Sequence, residues 1–132
     1  MITYGFTKEL NMQFEETLEK VFEELKKAEL GVWSIIDLKE KFKEILGINF
    51  KKYVILGTSH PSNAHQCVHA EENIGLMMPY NVVLYEKDKK TVLSVIRPTA
   101  VMEMIDNEDL EKIAAEMEKR LKKLFDSVRE GK

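Results

Sequence analysis

The sequence predicts an α+β domain, a two-layer sandwich in which helices pack on one face of a mixed or antiparallel sheet. Two observations predict it. Segments with apolar residues at helical spacing alternate with β-rich runs along the chain, and the last two β-rich runs are separated only by a short charged turn, as in a hairpin. The predicted order is β-α-β-α-β-α-β-β-α. No repeat or linker interrupts it, so we expect a single domain over residues 1–132.

The first two predicted elements are a strand and a helix. Residues 2–6 are expected to form the strand. From Asn11, about 18 residues carry an apolar stripe that includes Phe14, with Glu and Lys on the other face, which is typical of an amphipathic helix. Gly31 is expected to end this helix as its C′ residue.

The next pair is a short strand and a second helix. The strand is VWSII, residues 32–36, and its Trp33 is expected in the core. Asp37 and Glu40 then have the spacing of a capping box, which predicts a helix that begins here and ends at Gly47.

A buried strand over residues 53–56 precedes a third helix. Pro61 suits the first turn of that helix, with His60 or Ser59 at its cap, and we expect the helix to run to about Glu72.

A hairpin and a long helix complete the chain. The hairpin consists of β-rich runs at residues 79–85 and 91–96. Apolar residues at helical spacing from Leu110 to Val128 predict the last helix, which has acidic residues in its first turn and basic residues near its end, as the helix dipole favours.

Charge and composition exclude several classes of function. Twenty Lys and Arg against 23 Asp and Glu give a net charge of −3, without the clustered basic face that nucleic-acid binding needs. No apolar run is long enough for a membrane span, and no leader is recognised, so we expect a cytoplasmic protein. The single cysteine, Cys67, is interpreted as a small buried hydrophobe.

Two central motifs resemble a known family. Residues 53–64 read YVILGTSHPSNA and residues 74–85 read IGLMMPYNVVLY. They are similar to the domain-of-unknown-function family DUF302, in which Cys-Asn-Pro ends a strand and a Pro-Cys-Asn-Val-Val segment follows a helix. The shared residues are Pro61, Ala64, Gly75, Pro79, Asn81 and Val82. The resemblance covers nearly the whole chain and implies a small α/β fold, a homodimer and no established biochemical activity.

This sequence departs from the family pattern at both family cysteines. His60 or Ser59 occupies the first position and Tyr80 the second, so thiol chemistry at those positions is excluded here. His60 also replaces the asparagine before the proline, and histidine is a poorer helix cap than asparagine.

The resemblance places the two motifs side by side and thereby predicts a ligand pocket. Free N–H groups at the start of the third helix can receive a small molecule with an anionic group, such as a carboxylate. The alternative interpretation is structural, with Pro61 starting a helix and Pro79 a strand. The candidate pocket residues are Thr58, Ser59, His60, Asn63, Tyr80 and Asn81.

A histidine pair suggests a metal site. His65 and His69 are four residues apart on the third helix, so both imidazoles lie on one face and can bind Zn or Cu. His60 or Glu72 is the candidate third ligand. The plainer interpretation is a solvated helix face, and no HExxH glutamate accompanies the pair.

Three functions therefore compete. The first is a non-catalytic homodimeric domain that binds a small ligand or a partner, and the second is a metal-binding protein. The third is an enzyme with His60 as general base and Tyr80 as donor. No nucleotide-binding or nucleophile-elbow motif is present, and we assign no catalytic residue.

Overall fold

The computed structural model describes residues 3–131. Its elements alternate as the sequence predicts, with one 3₁₀ helix and one short α-helix in addition. In chain order they are β1 (Gly5–Leu10), α1 (Phe14–Lys27), β2 (Gly31–Asp37), α2 (Leu38–Leu46), β3 (Tyr53–Ser59), α3 (Pro61–Ala70), the 3₁₀ helix (Glu72–Met77), β4 (Tyr80–Lys87), β5 (Lys90–Ile96), α4 (Pro98–Val101) and α5 (Glu108–Ser127).

The five strands form one antiparallel sheet in the order β1-β5-β4-β3-β2. The α+β prediction and the predicted hairpin are confirmed. Asp88 and Lys89 form the two-residue turn of the hairpin, both with positive φ, which matches the twist of paired strands. Strands β1 and β2 are the two edges of the sheet.

Apolar side chains from one face of the sheet and from the helices form the core. In the three central strands, Leu56 lies opposite Val82, and Val82 lies opposite Val95. Helices α1 and α5 cover these side chains with their apolar faces, which include the buried Val21 and Leu121. Side chains on the second face of the sheet, such as Tyr53 and Tyr85, are only partly buried.

Several predicted boundaries are wrong. The first strand is β1, which begins at Gly5; residue 2 lies outside the described residues. Helix α1 begins at Phe14 and ends at Lys27, so Glu29 adopts the left-handed conformation after it (φ 59°) and Gly31 instead begins β2. Helix α3 ends at Ala70, before Glu72.

The second helix is capped as predicted. The Asp37 side chain accepts a hydrogen bond from the Glu40 N–H at 3.1 Å, and Gly47 is left-handed after the helix, with φ 68°. Helix α2 nevertheless contributes no buried residue to the core.

The prediction that Trp33 belongs to the core is wrong. Its side chain is 55% exposed, because β2 lies at the edge of the sheet and its register with β3 shifts between Val32 and Ser34. From Trp33 onwards every residue of β2 is exposed, so side chains on both faces of this strand are left uncovered by the described part of the chain. We call residues 31–50, which comprise β2, α2 and the segment after α2, the edge arm.

None of the helices in residues 3–131 is both long enough and apolar enough to span a bilayer.

Candidate functional site

The start of α3 and the start of β4 lie side by side. The Tyr80 hydroxyl donates a hydrogen bond to Oδ1 of Asn63 at 3.1 Å. The Asn63 amide donates in turn to the carbonyl of Ile113 in α5 at 3.3 Å. Asn63 therefore joins the sheet, α3 and α5 through one side chain.

Two further residues of the sheet and α3 complete this cluster. The Thr58 hydroxyl donates to the Tyr80 carbonyl at 2.8 Å. The sulfur of Cys67 lies 3.5 Å from the Tyr80 hydroxyl and 3.7 Å from Oδ1 of Asn63. Cys67 is buried, as predicted. The contact of Cys67 with Asn63 was not predicted from the sequence, although their spacing of four residues in one helix could have indicated it.

The cluster is electrically neutral. Burial, reinforced by the neighbouring Cys67, raises the pKa of Tyr80 well above its ordinary value of 10.0. Burial also raises the pKa of the Cys67 thiol, and the hydrogen bond with Tyr80 offsets part of that rise. Neutral, hydrogen-bonded groups of this kind hold elements in register and do not act as nucleophiles at neutral pH.

The predicted pocket residues do not all converge, and half of them are closed to solvent. Thr58, Ser59 and Tyr80 are buried, Tyr80 with only 1% exposure. The Ser59 hydroxyl has no hydrogen-bond partner within the described part of the chain. Asn81 is exposed, because its side chain points to the sheet face opposite that of Tyr80.

His60 is the cap residue of α3. Its Nδ1 accepts a hydrogen bond from the Asn63 N–H at 3.4 Å, a long distance for such a bond, and Pro61 follows as the first helical residue. His60 and Pro61 therefore form the start of α3, as the structural interpretation of these residues predicts.

The histidine pair of α3 lies at the surface. The ring centroids of His65 and His69 are 6.4 Å apart, their planes differ by 19°, and both side chains are exposed. No group of three or more His, Cys, Asp or Glu side chains that could hold a metal occurs within residues 3–131, so neither His60 nor Glu72 joins the pair.

A groove along α5 is a second candidate site, which no sequence motif indicates. It consists of two adjoining cavities of about 700 and 880 Å³ that share Thr99 and Ala115. Between them, the carboxylate of Glu118 accepts hydrogen bonds from the Thr99 N–H at 3.0 Å and from Nε of Arg97 at 3.2 Å. We call it the α5 groove. Its lining comes from both ends of the chain, which is why local sequence patterns do not reveal it.

Comparison with protein families shows to which family the chain belongs. The family described as Domain of unknown function DUF302 matches residues 6–128. The chain belongs to the DUF302 family. The resemblance seen in the two central motifs is thereby confirmed, and the match extends over both the buried cluster and most of the α5 groove.

A solved DUF302 structure has the same fold. The crystal structure of an uncharacterized conserved DUF302 protein from Bacillus stearothermophilus aligns with a TM-score of 0.89 and 29% sequence identity, over 97% of this chain and 100% of that chain. Comparison with curated proteins gives no match.

In the family pattern that the sequence resembles, the two cysteine positions correspond to His60 or Ser59 and to Tyr80. His60 and Tyr80 both have structural partners here. His60 caps α3, and Tyr80 holds Asn63. Neither the comparisons nor the geometry of this cluster assigns it a reaction.

Proposed function

We propose that this DUF302 chain is a non-catalytic binding domain that works as a homodimer, and that two copies cover each other's edge arms. The observation that carries the proposal is the exposure of the edge arm. Helix α2 has apolar residues at helical spacing, yet none of them is buried by the described residues 3–131. An amphipathic helix whose apolar side has no cover in its own chain marks a surface that contacts another molecule.

The amount of exposed apolar surface supports a stable interface. Seven of the large apolar side chains that are exposed lie in the edge arm, Ile45 being 70% exposed. Together they present on the order of 700 Å², close to the ~800 Å² that each partner buries in an interface of standard size. These side chains are Trp33, Ile35, Ile36, Ile45, Leu46, Ile48 and Phe50.

The charges of the edge arm favour a second copy of the chain as partner. The arm carries three lysines and three acidic residues, so its net charge is zero and two arms brought together have no net charge repulsion between them. Its β2 is an edge strand of an antiparallel sheet, and an antiparallel pair of identical edge strands is related by the two-fold symmetry that most homodimers have.

The non-catalytic part of the proposal rests on the roles of the candidate catalytic residues. Nδ1 of His60 is occupied as a helix cap, and the Tyr80 hydroxyl is buried and bonded to Asn63. A general base and its donor need access to a substrate, whereas Tyr80 has none from solvent.

Light scattering at micromolar concentration tests the proposal. We expect the wild type to have twice the 15.4 kDa mass of one chain, and Ile45→Glu to have the mass of one chain. Leu76→Glu is the matched control, because Leu76 is 87% exposed but lies outside the edge arm, and it should remain a dimer. A monomeric wild type, or an Ile45→Glu variant that stays dimeric, would overturn the proposal.

Metal binding by α3 is a second candidate, favoured by the two exposed and nearly parallel imidazoles of His65 and His69. Its test is the Zn and Cu content of protein purified without an affinity tag, compared with a His65→Ala/His69→Ala variant. We expect bound metal in the wild type only, and fewer than about 0.2 equivalents would rule the site out.

A further inference from the structure

The free edge of β1 is available for strand addition. The Arg97 N–H donates to the Tyr4 carbonyl at 2.8 Å, in the same register as the β1–β5 pairs. Backbone groups of an antiparallel strand alternate between its two sides, so those of Gly5, Thr7 and Glu9 point away from β5. No other strand within the described residues pairs with this side of β1.

The α5 groove follows this edge. Its larger cavity is lined by Thr3 and Tyr4, just before β1, and its smaller cavity by Phe6 within β1. Helix α5 forms the opposite wall of both cavities. An edge strand beside a helix is the arrangement in which several domain families bind an extended peptide, where main-chain hydrogen bonds supply affinity and the groove supplies specificity.

The two ends of the α5 groove carry opposite charge. The smaller cavity has four cations and two carboxylates, and one of its lysines, Lys122, is paired with Asp126. The cations are Lys119, Lys122, Lys123 and Arg129. The larger cavity has three carboxylates, from Glu103, Asp106 and Glu111, against Arg97 alone.

Charges of both signs at the basic end act on the neighbouring Lys8. Burial lowers the pKa of Lys8, Asp126 opposes that effect, and Lys122 and Arg129 lower the pKa further by smaller amounts.

Phe6 supplies an apolar floor between the two charged ends. Its ring centroid lies 5.8 Å from that of Phe125, 5.6 Å from Nζ of Lys122 and 5.9 Å from the guanidinium carbon of Arg97. A ring held in this way can receive an apolar side chain of a strand laid across it.

We infer that the α5 groove binds an extended peptide segment of a partner protein, which adds to β1 as an antiparallel strand. Since β1 runs from the acidic cavity towards the basic one, such a strand places acidic residues in its N-terminal half and basic residues in its C-terminal half. This inference rests on the proposed binding function, and it concerns the sheet edge opposite the edge arm.

Fluorescence anisotropy with two labelled peptides tests the inference. The peptides Glu-Glu-Val-Ser-Val-Ser-Val-Lys-Lys and Lys-Lys-Val-Ser-Val-Ser-Val-Glu-Glu have the same composition and opposite charge order. At low salt we expect the first to bind at least about tenfold more tightly, and the preference to shrink as salt screens the charges. Equal affinities, or no binding of either peptide at about 1 mM, would overturn the inference.

A proline at the free edge tests strand addition itself. Thr7→Pro removes an N–H that points away from β5, a position where an edge strand tolerates proline, and should weaken binding of the first peptide about tenfold. Thr7→Val is the matched control, because it loses the same hydroxyl contact with Ser94 but keeps the N–H. Equal affinities of these two variants would contradict strand addition.

A charge reversal in the α5 groove tests peptide binding even where the proline variant does not fold. Lys119→Glu/Lys123→Glu changes two exposed side chains of the basic cavity and should remove or reverse the preference between the peptides. An unchanged preference would overturn the inference.

Light scattering on the same samples separates this inference from the proposed dimer. A dimer that binds neither peptide contradicts the groove alone. A monomer that shows the expected preference contradicts the dimer alone.

Discussion

Tyr80 and Asn63 are joined by a part-buried hydrogen bond, 3.1 Å from the phenol hydroxyl to the amide oxygen. The bond connects β4 to α3, and the Asn63 amide extends the connection to α5 through the Ile113 carbonyl. Because Tyr80 is shielded from water, the loss of its hydroxyl is not compensated by solvent. The bond is therefore a structural connection between the sheet and the helices.

Tyr80→Phe should lower the free energy of unfolding by about 1–2 kcal/mol, because Oδ1 of the partly buried Asn63 loses its stronger donor. Urea denaturation followed by circular dichroism measures the change. Tyr85→Phe is the matched control: Tyr85 is partly exposed and keeps its ring stacked on Tyr53 in either form. An equal decrease in the free energy of unfolding of the two variants would show that the Tyr80 hydroxyl stabilises the fold no more than the Tyr85 hydroxyl does.

Gly57→Ala should destabilise the fold by about 1–3 kcal/mol, because a methyl group there has no space. A Cβ on Gly57 would lie 2.2 Å from Oγ of Ser34 and 2.6 Å from Cγ of Pro79. Gly75→Ala is the control, since a Cβ at Gly75 meets no atom within 4 Å. Thermal unfolding of both variants measures the difference, and similar melting temperatures would contradict the crowding at Gly57.

The elements could be predicted from the sequence because each carries its own periodic pattern. Asp37 and Gly47 limit α2 through local capping chemistry, and the structure confirms both. The exposure of Trp33 could not be predicted in the same way. An apolar residue in a strand has the same pattern whether the strand is central or at an edge, and strand order depends on contacts between distant segments.

The candidate site was predictable only in part. The adjacency of Asn63 and Tyr80 followed from the family resemblance, whereas the burial of Tyr80 and Cys67 depends on how α5 closes over α3. The α5 groove brings Phe6 and Arg129 to one cavity, and no local pattern connects residues so far apart in the chain.

Glu118→Gln should lower the free energy of unfolding at neutral pH. In acid the variant and the wild type should become similar in stability. Burial acts to raise the pKa of Glu118, but hydrogen bonds from Thr99 and then from Arg97 outweigh burial and hold the pKa below its ordinary value of 4.5. A carboxylate with a lowered pKa stabilises the fold fully above its unfolded pKa, and the contribution is lost as the pH falls through the folded value.

We therefore expect Glu118→Gln to cost about 1–2 kcal/mol at pH 7, since its side chain is only 18% exposed, and the difference from wild type to shrink below about pH 4.5. Urea unfolding at a series of pH values measures it. Glu116→Gln, an exposed position of the same helix, should show no such difference. A loss for Glu118→Gln that is independent of pH would contradict the charged role of Glu118.

His60→Asn should make the protein more stable, by about 0.5–1 kcal/mol, because asparagine is among the best helix caps and histidine is not. The present cap bond, from the Asn63 N–H to Nδ1 of His60, is long at 3.4 Å, and the shorter asparagine side chain can place its oxygen closer to that N–H. Urea unfolding at pH 7 measures the gain. His65→Asn places the same residue type at an exposed position inside α3, where it caps nothing and should give no gain. Loss of stability in His60→Asn would mean that the histidine ring makes a contribution that a cap alone does not explain.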